Sequence, residues 1–186
     1  TRQQCLWLVV LGLLGYYLSS LLDFLGLETV SASLERMVLC LYPTLTVLLS
    51  ALLYRQRLSR VTVMALVLTY SGMALVLLPD LGQSHADLGG LLLVLASTIT
   101  YALYLTFSPR MIQQIGARRF TELALLVSAA AMGVHFLVTR NPAVISEQPW
   151  QVWSYAVAMA LISTLFPVYA LSAAMLRIGA GRTAII

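Results

Sequence analysis

The sequence contains no lysine, so all 11 of its basic residues are arginines. Acids number 7, histidines 2 and cysteines 2, which leaves only 10% of the 186 residues charged. A water-soluble domain of this length could not cover its surface with so few charges. Cys5 and Cys40 give neither a metal-ligand spacing nor a disulfide framework, and they fall at different depths of the spans assigned below. Two free thiols are expected, with no metal and no cofactor. No span carries paired acids, an H-E-x-x-H motif or a Ser and His set suited to nucleophilic attack, which argues against a membrane-embedded enzyme. The arginines give a net charge of +4, yet they lie between apolar runs and never form one basic patch. Their placement fits topology signals and excludes a nucleic-acid surface.

What is present is hydrophobic length: 60% of the residues are hydrophobic and the mean hydropathy is +0.90. A bilayer crossing needs about 20 mainly apolar residues. Residues 6–25, 31–54, 62–78, 88–107, 121–138 and 150–176 supply six such runs. The expected fold is therefore an all-α integral membrane protein, a multi-span helical bundle, with the lipid bilayer as its first partner. Ser31 or Ser33 is the expected N-cap of the second span. The links include PDLGQSHAD after the third span and a basic loop from Pro109 to Arg119 after the fourth. Trp150 and Trp153 suit an interfacial anchor. The first residues lack an initiator methionine and a cleavage site, and Thr183 to Ile186 begin another apolar run. An internal piece of a longer protein is expected.

Short loops rich in arginine stay in the cytoplasm. With Thr1 on that side, Arg2, the Arg55/Arg57/Arg60 turn, the Arg110/Arg118/Arg119 loop and the Arg177/Arg182 segment all fall there. Glu28, Asp80, His85, Asp87 and Glu147 fall opposite, together with Arg36 and Arg140.

The second span is the unusual one, because Glu35, Arg36 and Pro43 lie within it. A charge at the centre of a span costs about 2.5 to 3.5 kcal/mol on insertion scales, so an acid beside a base calls for an interior or interfacial setting. The competing reading puts Glu35 in a solvated first turn and lets Arg36 snorkel to the headgroups. Neighbours at i and i+1 point apart, so Arg36 is expected to meet Asp23 or Glu28 before Glu35. Pro43 removes a backbone donor in mid-span, and Pro167 does so in the sixth. Both can serve as flexible points or as plain structural kinks. The fourth span is polar for its length. Tyr101 and Tyr104 share a face there, near Ser97 and Thr100, and either border a polar cavity or pack with satisfied hydroxyls. Tyr16 is a further pathway candidate, while His135 suits the interface better than a proton relay. The fifth span is rich in small residues from Ser128 to Gly133, which invites close helix approach.

The run over residues 34–78, with a mid-helix proline, a basic turn ending RLS and a helix containing TYSGMALVLL, resembles the first-repeat end of the drug/metabolite transporter superfamily, in its EamA-type members. DLGGLLLVLASTITYALYLTFSPR resembles the opening helix of that family's second repeat, and LRIGAGRTAII the link into its penultimate helix. The resemblance implies a ten-helix, inverted-repeat transporter in a bacterial inner membrane, of which this chain would hold helices three to eight and the start of nine. Residues 1–80 would close the first repeat with three spans, and 81–186 would open the second with three more and part of a fourth. Gln56 departs from the family, which often has an acid there. The resemblance further implies alternating access and export of a small metabolite or amino-acid-like solute. Tyr16, Glu35, Arg36, Pro43, Tyr101, Tyr104 and Pro167 are the candidate pathway residues. A non-transporting interaction subunit and a membrane-embedded enzyme are the competing classes, and a homodimer stays open.

Overall fold

The computed structural model describes residues 2–55, 59–81 and 87–184. Gln56 and part of the PDLGQSHAD link lie outside them. Inside a bilayer every backbone N–H and C=O must be satisfied within the protein, and a helix does this within one segment. Among the described residues six long helices result: α1, Arg2–Leu27; α2, Ala32–Tyr54; α3, Arg60–Leu81; α4, Leu88–Ile115; α5, Ala117–Thr139; and α6, Trp150–Ile178. Among the described residues, all but α3 are established as long and apolar enough to cross a membrane. Helix α3 covers the third expected span, residues 62–78, although the side chains of Met73 and of 76–81 are not among those described. Short helical turns follow at Ala143–Ser146 and Ala180–Thr183.

Helix α4 is the hub. Val94, Ala102, Tyr104, Leu105 and Ile112 on it are buried, and it packs against α1, α2, α5 and α6. Its polarity is largely absorbed by its own backbone, since Thr98, Thr106 and Ser108 each donate to the carbonyl four residues earlier at 2.6–2.8 Å. Such back-bonding lets a hydroxyl sit inside an apolar bundle without a partner from another helix. The outer faces of α3, α5 and α6 instead carry exposed leucines, valines and phenylalanine. An apolar exterior over a partly polar interior is what lipid as solvent selects.

Each proline reshapes its helix differently. Pro43 splits α2 into Ala32–Leu39 and Tyr42–Tyr54. At the break the Leu41 N–H turns to the Val38 carbonyl, and the Tyr70 hydroxyl from α3 donates to the Cys40 carbonyl at 3.3 Å. One carbonyl at the break, that of Cys40, thus finds a donor on a neighbouring helix. Before Pro167 the backbone widens into a π-helical stretch of α6, Met159–Leu165, at whose end the Phe166 N–H bonds the Leu161 carbonyl. Pro109 corrects the sequence reading. The expected basic loop from Pro109 to Arg119 is helix except at Gly116, because α4 runs on through the proline to Ile115. Near that site the Tyr54 hydroxyl donates to the Thr106 carbonyl at 3.0 Å. Gly116, at φ +86°, makes the corner alone, in a conformation that L side chains rarely adopt.

Candidate functional site

A second π-helical stretch, Leu13–Leu18, opens α1 at Gly15, Tyr16 and Tyr17. Wide turns of this kind recur at functional positions in helices. The Ser19 hydroxyl donates to the Gly15 carbonyl at 2.6 Å, and the Ser97 hydroxyl on α4 donates to the Ser19 carbonyl at 2.8 Å. Gly15 lies directly on the ring of Tyr104, where a Cβ would collide with it.

The widened turn aims its two tyrosines at different helices. Tyr16 shares a 2.7 Å hydrogen bond with the Tyr104 hydroxyl, and Tyr17 one of the same length with His135 Nδ1 on α5. Tyr104 is 0% exposed. Its ring stacks between Tyr101 and Phe120, with centroids 5.9 and 6.2 Å away, and Tyr42 meets Tyr101 edge-on at 5.5 Å. Ser108 and Ser172 also lie within reach of the Tyr104 hydroxyl. Ser172, buried on α6, accepts from Thr121 of α5 at 2.6 Å. A buried set of hydroxyls therefore joins α1, α4, α5 and α6, framed by aromatic rings from α1, α2, α4 and α5.

Seven residues from Tyr16 along α1 and from Tyr42 along α2, about 10 Å at ~1.5 Å per residue, lies a charged cluster. Glu35 is 1% exposed, and Arg36, with 73% of its side chain exposed, places Nε 3.3 Å from Glu35 Oε2. The expectation that these neighbours do not pair is thus corrected: the long arginine side chain folds back over the buried carboxylate. Asp23 of α1 brings its own carboxyl against Glu35 and into the field of Arg36, as the sequence suggested for Asp23 and Arg36. Its Oδ1 is buried and has no hydrogen-bond partner among the described residues. Two acids and one base thus meet where α1 approaches the start of α2, whose N-cap Ser31 accepts from the Leu34 N–H at 3.4 Å.

Of the candidates from the sequence, Tyr16, Tyr101 and Tyr104 converge directly. Buried Pro43 stands beside Tyr42 at the α2 break, and Glu35 with Arg36 forms the second cluster. Pro167 is exposed on α6 and stands apart from both. Sequence reasoning placed Asp23 near Arg36 but missed its contact with Glu35, and it missed Tyr42 and the Thr121–Ser172 link. It also placed His135 at the interface without its tyrosine. Small residues at Gly12 and Gly15, spaced i and i+3, were the available signal, since Gly12 abuts Ala124 and Gly15 abuts Tyr104. Among the described residues no group of three or more histidines, cysteines or acids could hold a metal.

A bundle of apolar helices enclosing hydroxyl and charge clusters defines a multi-pass integral membrane protein. Residues 1–78 match the EamA-like transporter family. The chain is 30% identical over 184 residues to the uncharacterized transporter YcbK of Bacillus subtilis (strain 168), spanning 94% of this chain and 57% of that protein. It is 23% identical over 187 residues to the uncharacterized transporter YyaM of the same organism, covering 99% of this chain and 61% of that one. An uncharacterized transporter of Archaeoglobus fulgidus matches at 25% over 119 residues, covering 64% and 42%. No solved structure matches. Over its first 78 residues the chain is thus similar to EamA-like transporters, and it spans about three fifths of the length of the two Bacillus relatives.

Proposed function

We propose that this chain forms the central part of a secondary transporter that moves a small, amino-acid-like solute outward across the bacterial plasma membrane by alternating access. In this reading the chain supplies helices three to eight of two inverted five-helix repeats, with residues 1–80 in the first and 81–186 in the second. The arginine-rich helix ends face the cytoplasm. Inverted repeats place the solute site near the midplane and let one half rock against the other. The observation that carries the proposal is the buried Tyr16–Tyr104 hydroxyl pair with its Ser172–Thr121 continuation. Hydroxyls not consumed by their own backbone, gathered where four helices meet, offer interchangeable partners to a polar solute. The Asp23, Glu35 and Arg36 cluster would complement its charged groups.

The test is a solute screen on the full-length parent in proteoliposomes, followed by Tyr16→Phe and Tyr104→Phe at matched abundance. Saturable flux that falls in both variants is expected. Absence of flux for every amino acid and small metabolite screened, in protein that is folded and correctly inserted, would defeat the reading.

A further inference from the structure

Nothing in the transport reading uses the cavity at the arginine-rich end of the bundle. It encloses about 400 Å³, within the range of about 300–1,000 Å³ typical of small-molecule sites. Its wall includes Ser50 and Tyr54 of α2, Arg110 and Gln113 of α4, and Arg182 of the final short turn. The last turns of α2, the later part of α4 and the segment after Gly179 line it together, so charges far apart in sequence share one cavity.

Three features point to a ligand. Arg110 is held in place, its guanidinium carbon 4.5 Å from the centroid of the Tyr54 ring, while the Tyr54 hydroxyl is fixed to the Thr106 carbonyl. A guanidinium stacked by its face keeps its edge donors free. Neither Arg110 nor Arg182 forms an ion pair among the described residues, where the ion pairs are Arg36 with Glu35 and Arg118 with Glu122. Two positive charges therefore share one concave wall, and its described lining residues include no carboxylate. Ser50 is 5% exposed, lines the same cavity, and its Oγ has no hydrogen-bond partner among the described residues. A buried hydroxyl without a partner calls for an explanation such as a ligand or water.

We infer that this cavity is a binding site for the anionic group, phosphate or carboxylate, of a small solute, held by the Arg110 and Arg182 guanidiniums with the Gln113 amide and the Ser50 hydroxyl as neutral donors. Two arginine forks match the planar oxygens of a carboxylate or the tetrahedral oxygens of a phosphate. Naming that solute a transport substrate rests on the proposed transport function; the binding itself does not.

The experiment measures equilibrium binding of radiolabelled inorganic phosphate and acetate to the full-length parent in phosphatidylcholine nanodiscs. Saturable binding is expected for at least one of them, about tenfold weaker in Arg110→Gln and in Arg182→Gln. Arg110→Lys should be intermediate, because it keeps the charge without the fork. Arg118→Gln, outside the cavity wall, should bind as the parent does. Size-exclusion profiles confirm that each variant is folded. No saturable binding of either anion, or equal weakening by Arg118→Gln, would overturn the inference. Displacement of phosphate by phosphatidylglycerol in the nanodisc, with no displacement by acetate, would assign the cavity to a lipid headgroup and overturn the solute assignment. A parent that moves no solute yet binds phosphate through Arg110 would sink the transport proposal and support this one.

Discussion

The hydroxyls of Tyr16 and Tyr104 lie 2.7 Å apart although 88 positions separate them in the chain. That bond ties the widened turn of α1 to the buried centre of α4. Interhelical hydrogen bonds in membrane proteins average about 0.6 kcal/mol in double-mutant cycles. A cycle of Tyr16→Phe and Tyr104→Phe, read by unfolding in mixed micelles, should give a coupling of about 0.5–1.5 kcal/mol. Purely additive losses would show that the two hydroxyls do not bond in solution.

Two glycines should behave oppositely. Gly15→Ala places a methyl group inside the Tyr104 ring and is expected to destabilise by about 1–3 kcal/mol, since overpacking displaces neighbours. At Gly133 nothing lies within 4 Å of a built Cβ, so Gly133→Ala should leave stability unchanged or slightly raised. Melting curves of the two variants in the same detergent decide the matter, and equal melting temperatures would contradict the packing.

Removing Arg36 leaves the buried Glu35 carboxylate without its partner. In the full-length parent, Arg36→Gln should reduce flux strongly at matched abundance. Arg36→Lys should keep part of it, because lysine restores charge but not the planar guanidinium. Normal flux in Arg36→Gln would remove the charged cluster from the pathway and leave Arg36 a headgroup anchor.

Orientation is open to chemical labelling. In a background with Cys5 and Cys40 replaced by serine, a cysteine at Ser146 should react with an impermeant maleimide from outside the cell, and one at Arg119 only after permeabilisation. Both positions are exposed, so accessibility reports sidedness and not burial. Labelling of both from one side would contradict the arginine bias.

The membrane fold and most helix positions were legible because span length and hydropathy are local properties. Ser31 as N-cap was equally local. Pro109 misled because a proline inside an apolar helix looks like a stop. Its neighbourhood is held by the Tyr54 hydroxyl, a donor more than fifty residues away in sequence. The polar fourth span was ambiguous for a different reason: its side chains name possible donors but not their acceptors. Thr106 and Ser108 spend theirs on their own helix, Thr98 bonds the Val94 carbonyl at 2.8 Å and also reaches the Val38 carbonyl of α2 at 3.5 Å, and Ser97 reaches the Ser19 carbonyl on α1. Glu35 and Arg36 were read apart because ideal helix geometry separates adjacent side chains, and the reach of arginine overcomes that separation.

The π-helical stretch before Pro167 also disturbs the phase of its helix. A turn closed by i→i+5 bonding takes up more than the usual 3.6 residues. Side chains from Phe166 to Ile178 are therefore rotated about the helix axis relative to those from Trp150 to Ala158, and one helical wheel drawn over all of α6 superimposes two faces that do not align. Ser172 and Met175 point into the bundle on the later register, while the earlier half keeps no buried residue among those described. A one-residue deletion within Met159–Leu165 would be absorbed by closing the widened turn and would keep Ser172 on Thr121, whereas the same deletion between Phe166 and Ser172 would twist the shaft by about 100° and swing Ser172 away, leaving its chemistry intact.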